Sequence, residues 1–338
     1  MSNQSGKMEK QRVILAGDIG GTKANLGLFS IGYGELCLIQ QASYTSYEFI
    51  RLEDIIDNFL SKYPYFIEKA CFGIAGPILN DQVKTSNLPW IIIKKNLQTC
   101  LKMEKVGLIN DLEATAYGML HLKKDDWVTL KEGSTEAKGA IAIIAAGTGL
   151  GEAFLYWDGH QYQVAASEGG HTDFAPRTEI EIELLKFLLR KYEHVSYERL
   201  LSGPGISNIY DFLRTYRNIE QPQWLTERMK QEDKNAVITE AALAGTDNIC
   251  TETLNMFTAF YGAEAGNLAL KVMAISGVYI GGGIAPKIIN KLQDGTFSTA
   301  FVRKGRLTDV LAKIPVRVAM NEKTALIGAA YYALDHVQ

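Results

Sequence analysis

The side chains able to do chemistry come in short clusters, most of them set among glycines. The first is "RVILAGDIGGTKANLGLF", where Asp18 interrupts an apolar run and is followed by Gly20, Gly21, Thr22 and Lys23. A carboxylate at the tip of a strand-like segment needs water, a cation or a hydrogen-bond donor. The glycines offer a turn with exposed backbone N–H groups, and Thr22 and Lys23 add a hydroxyl and a positive charge. "AAGTGLG" repeats this glycine–hydroxyl chemistry at Gly147, Thr148 and Gly149. Two such turns, opposed, make a clamp for phosphates, with Asp18 placed to hold a divalent cation through water. A third cluster, "GGGIAPK" with Gly281, Gly282 and Gly283, follows an apolar strand and precedes a helix. Beside two phosphate turns it reads as the wall for a nucleotide's base and ribose.

A second set suits a ligand rich in hydroxyls. "VGLINDLEATA" puts Asn110 and Asp111 at the end of a buried strand, just ahead of a helix. Helix capping accounts for one polar residue there more easily than for two. In a cleft, Asp111 is placed to accept a hydroxyl proton while Asn110 fixes the substrate by hydrogen bonds. "SEGGHTDFAP" gathers Glu168, His171 and Asp173 on a glycine-rich loop. A ligand lacking a hydroxyl would leave such groups unpaired. Zinc is the competing use of that loop, but no cysteine lies near it and the spacing matches no ligand pattern. Glu198, in "HVSYERLLSGPG", is on spacing alone an ordinary surface or helix-cap acid.

The elements that must carry these clusters form a repeated pattern. Strands "RVILAG", "ANLGLFS" and "LCLIQQA", joined by the glycine turn and by "GYGE", open the chain. A helix follows in "SYEFIRLEDIIDNFLSKY", then a strand "KACFGIAG", a helix from Lys94 to Met103, the strand "VGLIND" and the helix "LEATAYGMLHL". Then "AIAIIAAG", "EAFLYWDG" and "QYQVAAS" give strand, glycine turn, strand, turn, strand once more. Helices at Ile180–Tyr192, Gly205–Arg214 and Thr253–Met273 precede strands "GVYIGGG" and "PVRVAM" and a last helix "KTALIGAAYYALDHV". Two α/β halves facing a cleft are therefore expected, a place where small ligands bind. Lys123–Asp126 and Val318–Lys323 are the expected crossings, and the polar patch from Asn218 to Asn235 reads as a surface insertion.

Composition narrows the function further. With 35 basic against 38 acidic residues and a net charge of −3, the chain has no basic bulk for nucleic acid. Its 338 residues, 47% hydrophobic and 22% charged, are ordinary for a soluble enzyme. Four cysteines without a CxxC spacing suit buried thiols in a reducing cytoplasm. The apolar stretch "AGNLALKVMAISGVYIGGGIA" contains Lys271 and a glycine cluster, which favours a buried helix and strand over a membrane span. Gly147–Gly151 is not a dinucleotide fingerprint, because a strand-like "EAFLYW" follows where a helix should open.

Taken together, "GDIGGTKANLGLF", "INDLEATA", "GTGLG", "EGGHTDFAP", "ERLLSGPG" and "GGGIAP" closely resemble the bacterial glucokinase family of the hexokinase/actin-like superfamily, over nearly the whole chain. The resemblance implies two ribonuclease H-like (actin-like ATPase) domains, residues 12–122 with 323–338 and residues 123–322. It implies that Gly17, Asp18, Ile19, Gly20, Gly21 and Thr22 form one phosphate loop and Gly147 to Gly151 the other. Asn110, Asp111, Glu168, His171 and Glu198 would hold the sugar, with Asp111 as catalytic base; this lifts Glu198 out of its ordinary reading. ATP would be the phosphoryl donor, Mg2+ near Asp18 the metal, the cytoplasm the location and a homodimer the assembly. A cysteine-rich zinc motif typical of the related ROK proteins is replaced by "HTDFAPRTEIE", so zinc is not expected. Ser86 precedes Asn87 where related sequences often carry Thr. A kinase for another hexose or an N-acetylhexosamine, and a sugar-sensing regulator, are the alternatives; the latter would need a DNA-reading helix-turn-helix.

Overall fold

The computed structural model describes residues 12–32, 35–85, 88–134 and 138–338. Ser86 and Asn87 lie outside the described residues, as do Tyr33 and Gly34 of the expected "GYGE" turn. The chain forms two units, one of residues up to Leu122 with Glu322–Gln338, the other of Lys123–Asn321.

In the first unit, β1 (Val13–Ile19), β2 (Lys23–Gly32) and β3 (Glu35–Thr45) make an antiparallel meander. β4 (Ile67–Ile74) joins β1 in parallel. A small antiparallel sheet follows, β5 (Ile78–Leu79), β6 (Gln82–Lys84) and β7 (Ile91–Ile93), which the sequence pattern does not announce. β8 (Val106–Asn110) then closes the main sheet in the order β3-β2-β1-β4-β8. Strand β1 is apolar without alternation because both its faces are covered. Val13, Leu15 and Ile19 pack with Leu52, Ile55, Ile56 and Phe59 of α1 (Leu52–Lys62) and Leu97 of α2 (Lys94–Leu101). Ile14 and Ala16 face the other way, onto Leu326, Ala329, Ala330 and Ala333 of the C-terminal helix, Thr324–His336. That helix lies against α3 (Asp111–Met119) at backbone distance. A Cβ on Gly328 would collide with the Ala114 carbonyl, and one on Gly118 with the Thr324 carbonyl, so only glycine permits the approach.

The second unit repeats the scheme. Its strands are β9 (Trp127–Lys131), β10 (Ile141–Ala146), β11 (Leu150–Trp157), β12 (Tyr162–Ser167), β13 (Gly277–Gly281) and β14 (Val316–Ala319). They run in the order β12-β11-β10-β13-β14-β9, with β10, β13 and β14 parallel and β9 antiparallel at the edge. Around them lie α4 (Glu179–Leu189), α5 (Gly203–Arg217), α6 (Gln223–Gln231), α7 (Lys234–Ala244) and α8 (Asn248–Val272). α9 (Ile289–Leu292), α10 (Thr296–Val302) and α11 (Thr308–Ala312) complete the set. The core is centred on α8, whose Phe257, Phe260 and Tyr261 are buried with Phe297 and Phe301 of α10.

One expectation is corrected. The Asn218–Asn235 patch is not a plain surface insertion: it forms α6, anchored by fully buried Leu225, and the start of α7. Its polar composition belongs to the outward face of an amphipathic helix. The glycine-rich apolar stretch divides between the end of α8 and β13, and no described helix is long and apolar enough to cross a membrane.

Candidate active site

The site residues of the first unit sit where β1 and β8 end, on either side of β4. The β1–β2 hairpin pairs Asp18 with Asn25 and Ile19 with Ala24, leaving Gly20–Thr22 as its tip. Gly20 N–H donates to the Lys23 carbonyl at 2.9 Å, and Ser46 Oγ to the Gly20 carbonyl at 3.0 Å, which fix the turn from both sides. Among the described residues, neither Gly21 nor Thr22 donates its N–H to a protein acceptor. Successive N–H groups of this kind form a concave anion site.

Asp18 Oδ2 accepts from Asn25 Nδ2 at 3.1 Å, and Asn25 Oδ1 accepts in turn from Ser43 Oγ at 2.7 Å. Burial raises the Asp18 carboxyl above the usual range; the Asn25 bond opposes this and the negative charge of Asp111 adds to it. The two acids are thus electrostatic neighbours. That arrangement fits a cation: a carboxylate short of donors, with a second negative charge close by, is stabilised by positive charge between it and solvent. Among the described residues no group of three or more acidic, His or Cys side chains is gathered closely enough to hold a metal ion.

Asn110 ends β8 and caps α3 in a full capping box. Its Oδ1 accepts from Leu112 N–H at 2.9 Å while Glu113 Oε2 accepts from Asn110 N–H at 3.4 Å. Its Nδ2 donates to the Gly76 carbonyl at 3.1 Å, so the amide is held from two directions. Asp111 opens the helix, with Oδ1 accepting from Leu112 N–H at 2.9 Å. Both residues therefore serve the helix terminus, a double use that the sequence alone made improbable.

In the second unit the β10–β11 turn is built like its counterpart. Gly147 N–H donates to Gly149 O at 2.8 Å, and Gly203 N–H at the start of α5 donates to Gly147 O at 2.9 Å. Thr148 and Gly149 have no protein acceptor for their N–H groups among the described residues. Gly281 ends β13, and Gly282 turns the chain with φ +81°, tight against the Ala146 carbonyl. Gly283 faces open space. A pocket of ≈ 780 Å³ opens beside Gly147 and Thr148, walled by Thr239 and Leu243 of α7 and by Ile284 and Ile288. Its size is that of a small-molecule site. The α7 contribution escaped the sequence reading. The signal was present: Asp233 caps the helix, and Asn235, Thr239 and Leu243 recur every four residues on one face.

The sugar candidates of this unit are mostly exposed. Glu168 precedes the Gly169–His171 turn, and its Oε2 lies 3.9 Å from His171 Nε2 with both side chains open to solvent. Asp173 is drawn away from them and pairs with His194 at 2.9 Å. Glu198 is half-buried, and its Oε2 accepts from Leu150 N–H at 3.1 Å.

The sequence profile described as Glucokinase matches residues 15–336. A glucokinase of Nostoc sp. is 45% identical over 337 residues, covering 95% of this chain and 98% of that protein. A glucokinase of Synechocystis sp. is 41% identical, covering 94% and 97%. The crystal structure of a glucokinase from an Antarctic psychrotroph has a TM-score of 0.83 at 31% identity, covering 96% of this chain and 99% of that one. Matched end to end in sequence and in fold, the chain belongs to the glucokinase family.

Proposed function

We propose that this chain is an ATP-dependent glucokinase, moving the γ-phosphoryl group of ATP to the 6-hydroxyl of D-glucose and yielding glucose 6-phosphate and ADP. Family membership supports the reading. The observation that carries it is the electrostatic proximity of Asp18 and Asp111 at the ends of β1 and β8, one beside a turn whose Gly21 and Thr22 N–H groups meet no protein acceptor among the described residues and the other at a helix start. The shared strand order of the two sheets supports the actin-like assignment of both units.

Asp111 accepts the proton of the sugar hydroxyl as the new P–O bond forms, and Asn110 orients the sugar. The transition state of such transfers is loose, so positioning and charge stabilisation carry most of the catalysis. Glu168, His171 and Glu198 hold the remaining hydroxyls. The N–H groups of Gly21 and Thr22, and of Thr148 and Gly149, bind phosphate oxygens, and the pocket beside Gly147 takes the base and ribose. Asp18 would hold Mg2+ through water; the ion supplies positive charge against the phosphate oxygens. The test is a matrix of phosphate donors against sugars on purified protein. Turnover confined to N-acetylhexosamines, or none with ATP and glucose, rejects the reading.

A further inference from the structure

Glu152 projects from β11 into the core of the second unit, fully buried, and no donor among the described residues reaches either of its oxygens. Its neighbour is Glu264 of α8, equally buried. Glu264 is well supplied: Asn267 Nδ2 donates to it at 2.7 Å and Lys271 Nζ at 3.3 Å. Two neighbouring buried carboxyl groups cannot both ionise cheaply in an apolar site. One proton between them replaces repulsion with a strong O–H···O⁻ bond. Burial first, and the Glu264 charge second, push the Glu152 carboxyl up to about 8, with Lys271 pulling the other way.

What lies over this carboxyl is the Gly169–His171 turn. Glu152 Oε2 sits so close that a Cβ on Gly169 would collide with it. The turn is held by its own short bonds, His171 N–H to Glu168 O at 3.0 Å and Thr172 N–H to Gly169 O at 2.9 Å. The opposite wall is α8, a helix of 25 residues packed in the core.

We propose that Glu152 is a positioning residue for the sugar-binding turn: it carries a proton, bonds to Glu264 and gives Gly169 a neutral floor, so that its ionisation weakens glucose binding. The inference rests on the glucokinase reading above, which places Glu168 and His171 on the sugar. The other groups facing the pair are Lys271 on α8, Tyr197, Tyr261, Lys304 and, beyond them, Arg177. Lys304 is the one that matters for interpretation. Its Nζ donates to the Ala263 carbonyl at 2.8 Å and to Asn267 Oδ1, and burial lowers it to about 8, into the same pH window.

The experiment is calorimetric titration of glucose into full-length protein, without nucleotide, from about pH 6.5 to about pH 9.5. Wild-type Kd should be level at the acid end and then climb, by at most about tenfold per pH unit as the competent fraction falls. Glu152→Gln keeps a neutral donor toward Glu264 and should give a level curve, with Kd near the wild-type acid value. Glu264→Gln removes the neighbouring charge and should move the break to lower pH. A level wild-type curve overturns the proposal. So does a Glu152→Gln curve that keeps the wild-type break, which would assign the titration to Lys304. Should Glu152→Gln not fold, the wild-type curve and the Glu264→Gln shift decide between the same outcomes. Absence of glucose binding at every pH rejects the glucokinase reading and the inference with it, whereas pH-independent binding rejects the inference alone.

Discussion

The Leu150 backbone N–H donates to Glu198 Oε2 at 3.1 Å, so the acid proposed to hold the sugar also fastens the strand that leaves the Gly147–Gly149 turn. Glu198→Ala should raise KM for both glucose and ATP, because it removes a sugar contact and leaves a partly buried N–H without its acceptor, a loss of about 1–3 kcal/mol. Glu198→Gln keeps an acceptor and should restore most of the ATP affinity but not the glucose affinity. An alanine variant with unchanged ATP KM would show that the bond does not hold the turn.

Asp111→Asn is expected to lower kcat by about 10²–10⁴, the usual cost of losing a general base. The amide still accepts from Leu112 N–H, so α3 should stay intact and glucose should still bind. Near-normal turnover in this variant would remove Asp111 from its role.

For Asp18→Asn we expect a higher requirement for free Mg2+, by about 10–100-fold, as for other groups that hold a metal at second remove. The variant also takes away a negative charge beside Asp111. Activity measured against free Mg2+ at saturating ATP reads the effect directly; an unchanged Mg2+ curve argues against Asp18 as the metal's partner.

The pH dependence of stability has a definite sign at Glu152. Its folded-state value is raised from 4.5 to about 8, so between these limits the native state keeps a proton that the unfolded chain has released. Stability contributed by this group is therefore complete below about pH 4.5 and is lost as pH rises toward 8. Glu152→Gln has no such loss, and its Tm relative to wild type should increase between about pH 5 and about pH 8. A constant Tm difference across that range would mean that Glu152 is ionised in the fold.

Gly328→Ala should destabilise the protein by about 1–3 kcal/mol or more, because the new methyl group meets the Ala114 carbonyl rather than a side chain that can turn aside. Urea unfolding measures it; a loss below about 0.5 kcal/mol would show that the C-terminal helix can shift away from α3.

Much of this was readable in the residues. The apolar runs of β1, β8, β10 and β13 and the glycine turns after β1 and β10 define both sheets, because strands covered on two faces need uninterrupted apolar sequence. Glu152 was not legible: "GLGEAFLY" looks like any strand with one acid, and only the fold places Glu264 opposite it. The small β5–β7 sheet and β9 were missed because strands of 2 to 5 residues with mostly half-exposed side chains carry no clear period. Thr239 and Leu243 of α7 escape the sequence for a different reason: the polar composition ahead of them reads as an insertion.

The C-terminal helix supplies one face of the cover over a sheet whose other strands lie within the first 110 residues. Ile14, Ala16, Phe29, Cys71 and Ile109 stay wet on that side until residues 324–336 emerge from the ribosome, some two hundred codons later. This sheet is thus made long before the helix that completes its cover. Truncation or stalling before residue 324 leaves that apolar surface available to chaperones and to aggregation.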